Sequence, residues 1–218
     1  MVAPAIPADM EWTVADLLDR FGPIVCRRIR HDPPPGTATE QDVVDIHNHE
    51  GLLFELVDGV LVEKTMGIQE SYLAVVIASL IREFVERGDL GIVLGADGMA
   101  RLAPGLVRIP DVSYVNWDRF PGRKVPAAPM LNLAPNLAVE VLSPYNTKRE
   151  MERKLIEYFD AGVVLVWYID PRARTATAYS SPNDGIHLDA SQSLEGGTVL
   201  PGLSIALHEL FAKLEPPA

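Results

Sequence analysis

The chain has 218 residues, 48% of them hydrophobic, with 30 acidic against 19 basic side chains and a formal net charge of −11. That length supports one good-sized domain with a substantial core, and no apolar run approaches the roughly 18 residues of a membrane span. The acidic balance argues against holding nucleic acid through a broad basic surface, because that affinity comes from Lys and Arg neutralising phosphates.

A carboxylate site that loads with cations before it meets phosphate is compatible with this charge. The single cysteine, Cys26, excludes an internal disulfide and any cysteine-rich zinc site. The stretch from Met1 to Trp12 carries acid and proline, with no basic n-region and no apolar h-region. The expected location is therefore the cytoplasm, with no membrane partner.

Residues 1–11 read as loose. Thr13 is placed to cap a short helix ending at Phe21, where Gly22-Pro23 stops it. Residues 31–49, with Pro33-Pro34-Pro35-Gly36, read as a long loop or arm, and His31, His47 and His49 within it as surface residues rather than zinc ligands. Residues 52–57 and 60–63 form a hairpin around Asp58-Gly59, the pair that a tight type I′ turn requires. Glu55 interrupts the first of these strands, either as the outward position of a half-buried strand or as a site residue.

Residues 71–87 carry apolar side chains at Leu73, Val76, Ile77, Leu80, Ile81, Phe84 and Val85, the stripe of an amphipathic helix. Strands follow at 91–94 and 99–102, then a strand opened by Asp111. After a proline-rich link, 121–135, comes another strand, 137–142. A helix over 148–161 has Thr147 and Glu150 in the capping-box relation and Gly162 at its end. Strands at 165–169 and 175–179 follow, and residues 200–211 read as a short strand or turn and a last helix. The strand–helix–strand unit from Leu137 to Ile169 predicts a parallel crossover, and the shorter connections predict antiparallel neighbours. The fold class is a mixed-sheet α/β or α+β domain.

The most informative residue is Glu140. The run Leu137-Ala138-Val139-Glu140-Val141-Leu142 is otherwise wholly apolar and short, as a strand buried on both faces reads. A carboxylate there is costly unless it is paired, protonated or bound to metal. Asp111 opens the preceding apolar strand. On the following helix Met151, Leu155, Tyr158 and Phe159 form the apolar stripe. At about 100° per residue Lys154 falls roughly 40° from Tyr158, on the edge of that stripe. From there a lysine can reach back to the sheet end where Glu140 lies. The alternatives are a snorkelling Lys154, an Asp111 that only caps a turn, and a salt-bridged Glu140. Lys148 is a second candidate lysine. The basic stretches 27–30, 119–124 and 148–154 read either as solvated surface or as local phosphate contacts.

Several phrases together resemble a known family. They are Phe54-Glu55-Leu56-Val57-Asp58-Gly59-Val60-Leu61-Val62, Ile109-Pro110-Asp111-Val112-Ser113 and Leu137-Ala138-Val139-Glu140-Val141-Leu142-Ser143-Pro144. To these add Lys154 to Tyr158, Ala161-Gly162-Val163 and Val166-Trp167-Tyr168-Ile169-Asp170-Pro171. They are similar to the Uma-type restriction endonuclease family of the PD-(D/E)XK nuclease superfamily, over about residues 50–211.

The resemblance implies a restriction-endonuclease-like fold, with residues 50–213 as the nuclease domain and 1–49 as an N-terminal helix and proline-rich arm. It implies Mg2+- or Mn2+-dependent cleavage of DNA by a homodimer, with Asp111 and Glu140 as metal ligands. The superfamily's usual lysine lies two residues after the Glu, where this chain has Leu142. The resemblance therefore points to Lys154 on the helix as the lysine, with Glu55 as a further acid near the metal. The rival expectations are an inactive nuclease-fold module that binds nucleic acid or a protein, and a metal-dependent hydrolase of small phosphoesters.

Overall fold

The structure is a computed structural model that describes residues 12–215; the expectation for residues 1–11 lies outside them. Helix α1 (Val14–Phe21) begins where Thr13 accepts the Asp16 N–H and Asp16 returns a bond to the Thr13 backbone. Helix α2 (Glu40–Glu50) corrects the expectation of a continuous loop over 31–49. Thr39 and Asp42 form a second capping box, and Gly51 ends the helix in the left-handed conformation. Its short apolar set, Val43 and Ile46, packs on Phe54 and Leu56.

Strands β1 (Phe54–Val57) and β2 (Val60–Glu63) form the expected hairpin. Both turn residues have positive φ, 50° at Asp58 and 70° at Gly59, as a type I′ turn demands. Gly59 is further restricted by the arm crossing it: a Cβ there would stand 2.4 Å from the Gly36 carbonyl oxygen.

Helix α3 (Ile68–Gly88) is followed by β3 (Gly91–Leu94), β4 (Ala100–Ala103), β5 (Leu106–Arg108) and β6 (Val112–Asn116). Strand β7 (Leu137–Val141), helix α4 (Lys148–Asp160), β8 (Leu165–Asp170) and β9 (Thr175–Ser181) come next. The chain continues through β10 (Asp184–Leu188), β11 (Ser193–Glu195), β12 (Ser204–Ala206) and α5 (Leu207–Ala212). Strands β5, β10 and β11 are additions to the sequence-based expectation.

The strands form a six-stranded sheet ordered β10-β9-β8-β7-β6-β3, a four-stranded sheet ordered β2-β1-β5-β4, and the small pair β11-β12. Only β7 and β8 pair in parallel among these ladders, joined through α4 as predicted. Side-chain alternation sorts the central strand. Leu137, Val139 and Val141 face α3, packing with Leu73, Ile77 and Ile81. Ala138 faces α4, packing with Met151, Leu155 and Tyr158. Glu140 shares the parity of Ala138, so its carboxylate meets α4 at the C-terminal end of β7.

Residues 106–116 pass from one sheet to the other. Leu106 pairs with β1 in the smaller sheet, and Val112 pairs with Val139 in the larger. Asp111 lies in this crossing, and its N–H bonds the Val139 carbonyl at 3.0 Å. The seam between the two sheets is thus where acids from both come together.

Candidate active site

Five elements deliver charged side chains to the seam. Glu55 comes from β1, Arg108 from β5, Asp111 from the crossing, Glu140 from β7 and Lys154 from α4. All five are buried, with Arg108 the most enclosed at 1% exposure. Lys64, one residue past β2, completes the set.

Lys154 is the centre of the arrangement. Its Nζ lies 2.9 Å from Glu55 Oε1 and 3.0 Å from Glu140 Oε1, so one ammonium bridges the two sheets. The snorkelling alternative fails, because the Lys154 side chain is 5% exposed and turned inwards. Tyr158, one turn further on, donates its hydroxyl to Glu140 Oε1. Glu55 also accepts the Ile109 N–H at 3.0 Å and pairs with Arg108 at 2.7 Å. Extending the β1–β5 register by one residue sets Glu55 opposite Arg108, a cross-strand pair of opposite charge. Arg108 in turn holds Glu157 on α4.

Asp111 is fixed on both oxygens. Its Oδ1 is 2.7 Å from Lys64 Nζ, and its Oδ2 accepts the Val141 N–H at 2.7 Å. Asp111 therefore does more than cap a turn: it ties the crossing to the end of β7. Lys64 also donates to the Ile109 carbonyl. Lys148 does not join this group. It is exposed and pairs with Glu152 within its own helix.

Charge balance decides the protonation states. Three acids, Glu55, Asp111 and Glu140, meet three cations, Lys64, Arg108 and Lys154, and a fourth acid, Glu157, shares Arg108 and pairs with a fourth cation, Arg153. Burial alone would lower the Lys154 pKa, but Glu140 and Glu55 outweigh it and raise the pKa above its ordinary value. Lys154 is therefore an ammonium at neutral pH and not a proton acceptor. Burial would push Glu55 up, yet Lys154, Arg108 and Lys64 with the Ile109 N–H hold it below the usual carboxylate range. Glu140 goes the other way. Burial raises it, and neighbouring Asp111 and Glu55 add to that against the pull of Lys154 and Lys64.

A cavity of about 20 Å³ opens among Glu55, Lys64, Thr65, Asp111, Glu140 and Lys154. This is room for about one water. Among the described residues no three His, Cys, Asp or Glu side chains stand as a ready-made ligand set. The donors nevertheless suit a hard divalent cation, which takes oxygen ligands and needs only one or two protein carboxylates beside water and phosphate. Asp111 and Glu140 supply the carboxylates, and the buried Thr65 Oγ1 on the cavity wall has no hydrogen-bond partner among the described residues. In chemistry this donor set fits such an ion.

The cavity wall includes Arg28, which binds Glu150 through both carboxylate oxygens at 2.8 and 2.9 Å. Beyond it, Asn146 connects to a surface groove lined by Leu18, Tyr145, Lys148 and Arg149. Arg27 lies over the Tyr145 ring at 5.4 Å. Of the other basic stretch, Arg119 and Arg123 are engaged by backbone carbonyls and Asp89.

Lys64, Thr65, Arg108 and Glu157 escaped the sequence reading, though Arg108 carried a signal of its own. In Leu106-Val107-Arg108-Ile109 a charge interrupts an apolar run, as Glu140 does in β7.

A family model described as "Putative restriction endonuclease", Uma2, matches residues 41–210. The chain belongs to the Uma2 family. A solved structure with the same fold is the "putative nuclease belonging to DUF820" from Anabaena variabilis ATCC 29413. It aligns with a TM-score of 0.68 at 19% identity, covering 76% of this chain and 93% of that one. No curated protein matches the sequence. The Uma2 match runs from within α2 to α5, so it spans every element that contributes a charged group to the seam apart from Arg28.

Proposed function

We propose that this Uma2 chain is a Mg2+- or Mn2+-dependent endonuclease that hydrolyses DNA phosphodiester bonds. The observation that carries the proposal is the lysine-bridged carboxylate cluster on the cavity: Glu55 and Glu140 from two strands and Asp111 from the crossing between the sheets, with Lys154 between the first two. Family membership supplies the reaction class.

A bound divalent ion supplies Lewis acidity toward the phosphoryl oxygen and acidifies the attacking water. Asp111 and Glu140 would hold that ion, and the Val141 N–H keeps Asp111 oriented. Lys154, permanently charged, donates to the attacking water and offsets the negative charge that grows on the phosphorus oxygens. Glu55 acts through Lys154, setting its direction together with Arg108. The groove past Asn146, with Lys148, Arg149 and Arg27, leads a DNA backbone to the cavity. Residues 50–213 form the nuclease domain and 1–49 an arm that contributes Arg28 to the cavity wall. The protein acts in the cytoplasm as a homodimer, which sedimentation tests.

A second reading, an inactive module that binds nucleic acid or protein, draws on the saturated ion pairs and on Leu142 in the usual lysine position. The two readings part on one experiment: Mn2+ titration and cleavage of supercoiled DNA by the wild type, Asp111→Asn and Glu140→Gln. The nuclease reading expects metal binding and cleavage in the wild type and loss of cleavage in both variants, with unchanged circular dichroism. Cleavage retained by both variants would remove Asp111 and Glu140 from the mechanism.

A further inference from the structure

Both oxygens of Asp111 are taken by the protein itself. Oδ2 accepts the Val141 N–H, and Oδ1 lies 2.7 Å from the Lys64 ammonium, the shortest ion pair that the cavity acids make with a lysine. The Lys64 side chain is 8% exposed, and its Nζ also donates to the Ile109 carbonyl. Lys154 is committed to Glu55 and Glu140, so Lys64 is the cation that neutralises Asp111. We propose that the Lys64 ammonium sits in the place a divalent ion's charge would take at Asp111, so that lysine and metal exclude one another there. The inference rests on the metal-dependent reading above.

Three physical facts carry it. First, the acids and cations of the cluster already cancel, so a divalent ion arriving with Lys64 in place leaves two uncompensated charges in a buried site. Secondly, the cavity holds about one water, too little for a hydrated ion beside the ammonium. Thirdly, Lys64 is paired with one acid where Lys154 is paired with two, and it lies outside a regular element: it follows the last residue of β2, and residues 64–67 lead from there into α3. Lys154, by contrast, is locked in the middle of α4 between two acids. A lysine is a compact charge on a flexible stem. Once displaced, Lys64 carries its charge to the cavity rim, where a phosphate oxygen of the substrate enters. The protein then exchanges an internal ion pair for a metal and an external one.

The test is calorimetric titration of Mn2+ into the wild type, Lys64→Gln, Lys64→Arg and Glu140→Gln, with and without a phosphorothioate-linked duplex. The expected result is Mn2+ binding at least about tenfold tighter in Lys64→Gln than in the wild type, since a close like charge has been removed. Lys64→Arg, which keeps the charge, shows no such gain, and Glu140→Gln shows no binding. Should Lys64→Gln unfold without metal, recovery of its circular dichroism on adding Mn2+ is the expected outcome, because the ion replaces the missing ammonium. Equal or weaker binding by Lys64→Gln, or failure to recover while the wild type binds, overturns the exchange and leaves the metal site standing. Absence of Mn2+ binding in every protein, with and without duplex, overturns both.

Discussion

Lys154 holds two carboxylates that would otherwise face each other across the seam, and its loss should be felt by the fold before any substrate is present. Lys154→Met leaves Glu55 and Glu140 with one fewer counter-charge in a buried site. Breaking a buried pair from one side costs about 3–5 kcal/mol, so a denaturant titration should show destabilisation of that order. The opposite pH senses of the two acids give a second prediction. Glu140 has its pKa raised above the ordinary 4.5 in the folded state, chiefly by burial. Folding therefore takes up protons there, and its contribution to stability is fullest at low pH and is lost as pH rises through the raised value. Metal binding needs the carboxylate, so Mn2+ affinity should fall on acidification at a higher pH than an ordinary glutamate would dictate. Glu55, held low, contributes stability above 4.5 that disappears only as pH falls through its lowered value. Titration of Mn2+ across pH, beside thermal melts across the same range, checks both signs. At this scale the sequence showed Glu140 and Lys154 because each breaks a pattern within its own element. Lys64 breaks none: it follows Glu63 in an ordinary polar strand end, and only the approach of the crossing to β2 gives it a partner.

The elements that aim these residues are set by local chemistry. Helix α4 starts where Thr147 and Glu150 cap one another, and the Thr147 hydroxyl donates to the Phe21 carbonyl of α1 at 2.5 Å. Thr147→Ala removes both roles and should cost about 1 kcal/mol or more, read as a lower midpoint in urea. At the hairpin, Gly59→Ala introduces a Cβ against the Gly36 carbonyl at a positive φ of 70°. Destabilisation above about 1 kcal/mol is expected, and a thermal melt measures it. The hairpin, α3, β7 and α4 were legible because periodicity and turn chemistry agree within each segment. Helix α2 was not, because its polar composition and the preceding prolines mask a stripe of only three buried residues, Val43, Val44 and Ile46. Strand β5 was hidden by its length of three residues, and β10 by exposure of four of its five.

For the molecule as a whole, the division into two sheets matters more than the size of either core. The arm is built into the smaller sheet: Ile29 bridges Val62, Gly36 and Ala38 donate to the Gly59 carbonyl, and Arg28 reaches Glu150 on α4. Deleting residues 1–49 would uncover Phe54, Leu56 and Val62, each buried in the full chain. Loss of that apolar burial should replace the cooperative thermal transition by a broad one. What the sequence could not convey is the meeting of the sheets. The pairing of Glu55 with Lys154 depends on contacts between residues 99 positions apart, which no local pattern encodes.

The Val141 amide has a property that follows from its partner. In a regular strand such a proton answers to a neighbouring carbonyl, but here it answers to the Asp111 carboxylate. Its nitrogen and proton resonances will therefore follow what stands against that carboxylate, through arrival of an ion or departure of Lys64. A single backbone peak, needing no probe to be attached, becomes the molecule's own gauge of what is bound at its centre.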